Sequence, residues 1–517
     1  LVLVAIAAGA SLAPRSTALQ AGTAAAQAVT PAPAPGTPGR TVGGYRCGPG
    51  VRQVPFSKYA PICLPAWHGD NGGATANGVT GRTITLVYRA AASNILSLLY
   101  SEIPPSVVGT NAEAVHTMES YIDVFNRTFE LYGRKVVLRP YQGQGDFITE
   151  DQGGGLAQAQ EDALTVADTL HGFADMSLVD SSVVYDDALQ QAGVPAFGLY
   201  LQDAAWYRDA APYQYSVGPN CTQSDQALAD VFGSPAVADA PAAYAGGRLR
   251  TQRRELGIIY PENTQATACA DQLAEDLAAT GHPVAASVGF EFDVATLATA
   301  AQNAIGQLQA AGVTTVICAS CDPVSPIYFL SAAKAARYQP EFVVQSYFAG
   351  GTAAIDGFMQ NILAKAGAPG YGPSLLALGS GGQVTMQSEA VRIYAMANHG
   401  STAGILPSYL WAYESLLYFF DLLQAAGPDL TPAALHRAMA DTAELPPSAP
   451  GGSLGPWRFG AGQVDPSNGF QLLRWVPTAR SPQDGRLGTF QPCYGGRTFD
   501  DAAPGGGVPS DQGPRCP

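Results

Sequence analysis

The chain has 517 residues, of which 47% are apolar and only 13% charged, with eight cysteines and a formal net charge of −15. That length exceeds what one hydrophobic core serves and that composition buries a sizeable core, so a single compact domain and a chain disordered throughout are both excluded. So acidic a surface repels polyanions, and with no run of Lys or Arg to track phosphates, nucleic acid is excluded as a partner. In chain order, "LVLVAIAAGASLAP" comes first, an apolar run too short to span a bilayer but suited to the core of a secretory signal, with small residues in "SLAP" and "ALQAG" as cleavage points. The Ala- and Pro-rich stretch to residue 40 reads as a flexible linker. The expectation is an exported protein, extracellular or periplasmic. No Cys precedes Cys47, so no lipid-attachment cysteine is visible.

From residue 82 strand and helix signals alternate. "RTITLVYR" reads as a strand, "NAEAVHTMESYIDVFNRTFELYG" carries helical periodicity, and "RKVVLRPYQGQGD" is a strand entering a Gly-rich loop. "GGGLAQAQEDALTVADTLHGF" is a helix, "ADMSLV" a short strand, "DSSVVYDDALQQAG" a helix ending at Gly193, and "VPAFGLYL" the next strand. The pattern restarts with "RRELGIIYPENTQATACADQLAEDLAATGHPVAASVGFEF", followed by a helix over "VATLATAAQNAIGQLQAAG", a strand at "VTTVICAS", and "PIYFLSAAKAARYQPEFVVQSYF" as helix and strand. Repeated βα winding predicts an α/β fold of two doubly wound lobes with parallel central sheets, and ligands at the carboxyl ends of the strands. Beyond them come the apolar helix "SYLWAYESLLYFFDLLQAAG", interrupted by Glu414 and Asp421 and so read as a core helix rather than a membrane span, then "TPAALHRAMADTA", then a β-hairpin pattern in "GPWRFGAGQVDPSNGFQLLRWVP".

Eight cysteines in an exported chain favour disulfides. Cys47 and Cys63 flank a Pro- and Gly-rich stretch near the start, and Cys493 and Cys516 a similar stretch at the end, so these four are expected to staple ends with little core of their own. Strand, Cys318-Ala-Ser-Cys321, helix is also the order in which thiol–disulfide oxidoreductases carry their redox pair, which makes a secreted oxidoreductase using Cys318 and Cys321 the alternative function. Asp322 weakens it, because an adjacent anion favours the protonated thiol. His68, His116, His171 and His282 lack metal-ligand spacing, and neither a G-x-S-x-G elbow nor a phosphate-binding loop occurs, so no metal or cofactor is expected.

Six segments in series resemble a known family: "GVTGRTITLVY", "YGRKVVLRPYQGQGD", "DSSVVYDDALQQAGVPAF", "YSVGPNCTQSDQALADVF", "LQAAGVTTVICASCDP" and "GPWRFGAG…GFQLLRW". Over roughly residues 79 to 476 the chain is similar to the type I periplasmic binding proteins, in the branched-chain amino-acid binder branch of ABC-transporter solute receptors. The resemblance implies hinge-linked lobes with three crossovers, near residues 217, 378 and 448. Lobe 1 would span 80–217 and 378–447, and lobe 2 218–377 and 448–476. A signal and linker over 1–40, a Cys-containing extension over 41–79 and a Gly/Pro-rich tail over 477–517 complete the division.

It further implies a non-enzymatic receptor for a small organic solute, an amino acid or other metabolite, with an ABC permease as partner. Expected contacts are Arg89, Ser93 and Asn94, then Asp180, Ser181 and Ser182, then Tyr200 and Gln202 in lobe 1, and Asn263, Thr264, Asp322, Ser325, Ser346 and Tyr347 in lobe 2. Amino-acid binders of the family hold the carboxylate with lobe-1 hydroxyls, matched by Ser181 and Ser182, and the ammonium with a lobe-2 acid. Here Tyr200 and Gln202 replace the expected small residue and Thr, and Ser346 falls near the acid, leaving Asp322 as a neighbouring substitute. Tyr88, Tyr200, Tyr347 and Phe348 are the aromatics that would instead line a flatter apolar site. Within lobe 2, Cys221–Cys269 is the first-choice bridge, with Cys318–Cys321 or cross-links among the four as alternatives.

Overall fold

In the computed structural model, which describes residues 29–92, 109–178, 180–198, 202–216, 218–293, 295–322, 324–346, 356–379, 388–405, 410–441, 455, 457–460, 462–482, 484–499, 507–509 and 513–517, the alternating signals become two separate sheets. The first half runs β1 (Thr83–Ala90), α1 (Asn111–Thr128), β2 (Lys135–Gln142), α2 (Phe147–Asp151), α3 (Leu156–Leu164), β3 (Ala174–Leu178), α4 (Val183–Gln191), β4 (Ala196–Gly198), α5 (Ala204–Asp209) and β5 (Gln214–Ser216). These five strands form one parallel sheet in the order β2-β1-β3-β4-β5. Local chemistry sets the helix starts: the Thr110 hydroxyl accepts the Glu113 N–H at 3.3 Å while the Glu113 carboxylate accepts the Thr110 N–H at 2.8 Å, a reciprocal cap that satisfies two otherwise orphaned donors of α1.

The chain then crosses into a second lobe: α6 (Cys221–Phe232), β6 (Leu256–Pro261), α7 (Thr264–Ala279), β7 (Ala286–Phe290), α8 (Leu297–Ala310), β8 (Thr315–Cys318), α9 (Ser325–Ala335), β9 (Glu341–Ser346), α10 (Asp356–Lys365) and β10 (Leu375–Gly379). It returns to the first lobe for α11 (Glu389–Ala397), α12 (Leu410–Ala426) and α13 (Pro432–Asp441), and ends in the second with β11 (Gln471–Arg480) and β12 (Leu487–Pro492). The second sheet has the order β12-β11-β10-β9-β8-β6-β7, parallel from β7 to β10, with β11 and β12 added antiparallel at one edge. Two doubly wound lobes joined by three crossovers are therefore the architecture.

Two stretches differ from the sequence reading. Trp457 and Phe459, assigned to a hairpin on the second lobe, pack in the first core, Trp457 lying 5.2 Å from the Tyr59 ring and 6.3 Å from Tyr418. Their aromatic surface completes the face of α12, so the third crossing lies between Phe459 and Phe470 rather than near 448. Conversely β12 falls in the stretch read as a tail. It is a true strand because Phe490 stacks edge-on against Trp475 at 5.1 Å in the second core, and the Cys493–Cys516 bridge ties the end down behind it.

The apolar helix α12 contributes Leu416, Leu417, Phe419, Phe420, Leu422 and Leu423 to the first core, each such burial stabilising by about 1.5–3 kcal/mol. Among the described residues no helix is long and apolar enough to cross a membrane. The extension joins the same core through Val54, Tyr59 and Ala60, stapled by Cys47–Cys63, and Gln53 bonds the Thr128 carbonyl at the end of α1 at 2.7 Å. At its exit Gly78 has φ +71°, and a Cβ there would lie 2.2 Å from the Phe173 nitrogen, which only glycine avoids.

Candidate ligand-binding cleft

The carboxyl ends of the two sheets meet. The loop after β2 carries α2, and beyond it the Gln152 side-chain amide donates to the Phe292 carbonyl, just past β7 in the other lobe, at 2.6 Å. Asp151 feels the charge of Asp322, which follows β8. This is the geometry in which open α/β sheets bind ligands.

Behind the first wall lies a buried ionic cluster. Arg89, near the end of β1 and fully buried, bonds both Glu150 oxygens (3.0 and 2.9 Å), Asp162 (3.1 Å) and the Asp180 carbonyl (2.5 Å), and its guanidinium stacks 3.6 Å from the Tyr185 ring centre. Burial alone would lower its pKa, but the hydrogen bond and charge of Glu150, with Tyr185 and Asp162, hold it above the ordinary value. The Gly-rich loop exists for this cluster: a Cβ at Gly145 would lie 2.0 Å from Glu150 Oε1, one at Gly143 2.7 Å from Arg89 Cγ, and the Gln144 and Gly145 amides donate to Asp162 at 2.9 Å. Arg89 thus sits beneath the wall, its guanidinium committed to protein groups.

Ser181 and Ser182 are buried at the start of α4. The Ser182 hydroxyl accepts the Tyr185 N–H at 3.0 Å and donates to Glu150 at 2.5 Å, and the Ser181 hydroxyl donates to Asp186, whose pKa burial pushes well up. Asp175 beneath them is pushed up to about 6 by burial and accepts the Tyr185 hydroxyl at 3.0 Å. Gln202 is also buried. Its carbonyl accepts the Cys221 N–H at 3.0 Å at the first crossover, while its side-chain oxygen Oε1 has no partner among the described residues.

On the second wall Asn263 caps α7, accepting the Ala266 N–H at 2.8 Å. Asp322 caps α9, accepting the Val324 and Ser325 N–H groups at 2.6 and 2.9 Å and the Ser325 hydroxyl. Burial raises the Asp322 pKa. Ser346 is the last residue of β9. Ser93, Asn94, Tyr200, Tyr347 and Phe348 lie outside the described residues. Tyr88 does not line the cleft: it is buried in the first core, its hydroxyl 3.3 Å from Asp180 Oδ2. Backbone strain marks both walls, Leu178 having φ +56° and Ser320 φ +51°. Glu150, Asp151, Gln152 and Asp162 escaped the sequence reading; the acidic "ITEDQ" directly after the Gly-rich loop was the available signal.

The cysteines are all bridged: Cys47–Cys63, Cys221–Cys269, Cys318–Cys321 and Cys493–Cys516. Cys318 is buried at the end of β8 and its bridge closes the turn that presents Asp322, a structural clamp that does not support dithiol chemistry. Cys221, Asp225 and Cys269 place ligand atoms within 4.8 Å of one another, but the joined sulfurs leave the Asp225 carboxylate as the single ligand group. Both Asp225 oxygens are buried without a partner among the described residues, and burial, then Asp276, pushes its pKa well up. The folded chain therefore binds this proton more tightly than the unfolded chain, so stability falls as pH rises above about 4. Asp225→Leu is expected to stabilise by about 1–3 kcal/mol, more at pH 8 than at pH 5, in urea unfolding followed at both pH values.

No protein-family model and no curated protein matches the sequence. Solved structures match in fold. A substrate-binding protein of an ABC transporter from Aeropyrum pernix is 11% identical with a TM-score of 0.55, covering 82% of this chain and 97% of its own. A solute-binding protein of an ABC transporter from R. palustris, in complex with 4-hydroxybenzoate, is 14% identical with a TM-score of 0.54 over 82% and 99%. A possible leucine/isoleucine/valine-binding protein from Rhodopirellula baltica is 10% identical with a TM-score of 0.52 over 80% and 96%.

Proposed function

We propose that this chain, which has the fold of the type I periplasmic binding proteins, is an exported receptor that closes its two lobes on a small organic solute and delivers it to an ABC-type permease or a sensor. The observation that carries this reading is the meeting of strand carboxyl ends from both lobes at the Gln152–Phe292 hydrogen bond, where Asp151 also feels the charge of Asp322. Two-lobed closure of this kind sequesters a ligand between walls that each supply contacts. Gln202 adds support, since a buried amide oxygen without a partner among the described residues is a costly feature that a ligand donor would relieve.

The ligand is an amino acid or another small metabolite. Structures of this fold carry names as different as a possible leucine/isoleucine/valine-binding protein and a solute-binding protein in complex with 4-hydroxybenzoate. In this chain the internal bonding of Ser181 and Ser182 argues that an amino-acid carboxylate would have to compete with Asp186 and Glu150 for their hydroxyls. Tyr200, Tyr347 and Gln202 are then the better contacts, which favours an aromatic or amphipathic solute.

A thermal-shift screen of amino acids and aromatic acids is the test, because a ligand that binds the native state alone raises the melting temperature by mass action. With a ligand in hand, Tyr200→Ala and Gln202→Leu are each expected to weaken binding about tenfold or more by titration calorimetry. Unchanged affinity in both, together with robust insulin reduction that Cys321→Ser abolishes, would replace this reading by the oxidoreductase one.

A further inference from the structure

Three consecutive residues at the end of α2 face three different partners. Glu150 turns inward onto Arg89 and accepts the Ser182 hydroxyl, so its position is fixed by the floor of the first wall. Asp151 feels the charge of Asp322 of the second lobe. Gln152, on the rim, donates to the Phe292 carbonyl of that lobe at 2.6 Å. One segment therefore bonds the ligand wall and the opposing backbone while it feels the charge of the opposing acid. We propose that residues 150–152 are a latch that sets how readily the lobes close, with Arg89 as the positioning residue that holds Glu150, the group bonded to the Ser182 wall.

The parts act in opposite senses. The Gln152 bond favours the closed arrangement. Two facing carboxylates oppose it, and closure also takes them from water. Asp322 is the second-lobe titratable group whose charge acts on Asp151, while neighbouring Glu150 is turned onto Arg89. Asp151 is pushed up to about 6 by burial and by Asp322, and an open cleft removes the Asp322 part and lowers it toward its ordinary value near 4. The closed arrangement thus holds the proton more tightly. Falling pH through the window from about 6 to about 4 stabilises closure, and rising pH loosens it. At neutral pH the latch rests partly strained, and a solute that neutralises either acid relieves it.

The proposal rests on the solute-binding reading only in its purpose, and its test needs no solute. Spin labels introduced at the exposed helix positions Glu119 in the first lobe and Glu275 in the second report the interlobe distance by pulsed electron resonance in the ligand-free protein. The wild-type distribution is expected to shorten between pH 7.5 and pH 5. Asp151→Asn removes the like charge at constant shape and is expected to show the short distribution at both pH values. Gln152→Ala, on the exposed rim where folding is not at stake, is expected to lower the closed-to-open ratio about three- to tenfold, the worth of one hydrogen bond. Arg89→Lys keeps a buried charge but loses the fork onto Glu150, and is expected to broaden the distance distribution even where circular dichroism and melting show a folded protein. A distribution that ignores pH, an Asp151→Asn protein that keeps the wild-type pH response, or a Gln152→Ala protein with the wild-type ratio would each overturn the latch. Failure of the ligand screen would instead count against solute capture and leave this result standing.

Discussion

Arg89→Met is expected to cost about 3–5 kcal/mol of unfolding free energy. The substitution keeps the stem of the side chain and removes the charge, leaving Glu150 and Asp162 buried without the cation that both bond. It also releases the Asp180 carbonyl and the face of Tyr185. Denaturant unfolding at pH 7.5 measures the loss. The double substitution Arg89→Met with Glu150→Gln is expected to recover part of the loss at neutral pH, since the larger cost is the unpaired anion rather than the missing contact. A loss under about 1 kcal/mol would mean that water reaches the cluster and that the wall above it is not held from below.

Tyr418→Ala is expected to cost a comparable amount, about 3–5 kcal/mol. Tyr418, in the middle of α12, is fully buried and lies 5.7 Å from the Phe197 ring, 6.4 Å from Tyr215, 6.3 Å from Trp457 and 5.8 Å from Phe459. Phe197 and Tyr215 belong to the strands before the first crossover, and Trp457 and Phe459 to the segment before the third. One ring thus anchors two of the three chain passages between the lobes. Beside them, Asp465 accepts the Asn220 side-chain amide at 2.9 Å and the Ser467 N–H at 2.9 Å, tying those two passages to each other. Loss of the ring is therefore expected to act on the hinge as well as on stability: amide exchange should accelerate in the segments around residues 214–226 and 457–470 before it does in the β6–β8 strands. Tyr418→Phe separates the causes, since it keeps the packing and removes only the hydroxyl, which lies against the Met439 sulfur at 2.9 Å. It should cost about 1 kcal/mol and leave the hinge segments protected.

The alternating strand and helix segments, the restart after residue 250 and the core character of α12 were all legible in the sequence, because each is set within a few residues. A β-branched run extends, a helical face repeats every three or four residues, and Thr110, Asp203, Asn220 or Asn263 supplies the cap where the helix begins. Winding order then fixes the parallel sheets, since a strand that follows a crossover helix has few ways to pair.

What the tertiary structure alone decided is where side chains with several possible partners spend their bonds. Arg89 was legible as a polar residue at a strand end and hence as a ligand contact, yet its partners Glu150 and Asp162 lie 61 and 73 residues away. No local rule distinguishes a guanidinium pointing into a cleft from one locked beneath it. The same holds for the hydroxyls of Ser181 and Ser182, for Tyr88 in the core, and for Trp457 and Phe459, whose aromatic character suited either lobe until α12 presented the complementary surface. Periodicity determined the two lobes, whereas the composition of the cleft was decided by long-range charge pairing and packing, which depend on folded distances that sequence spacing does not encode.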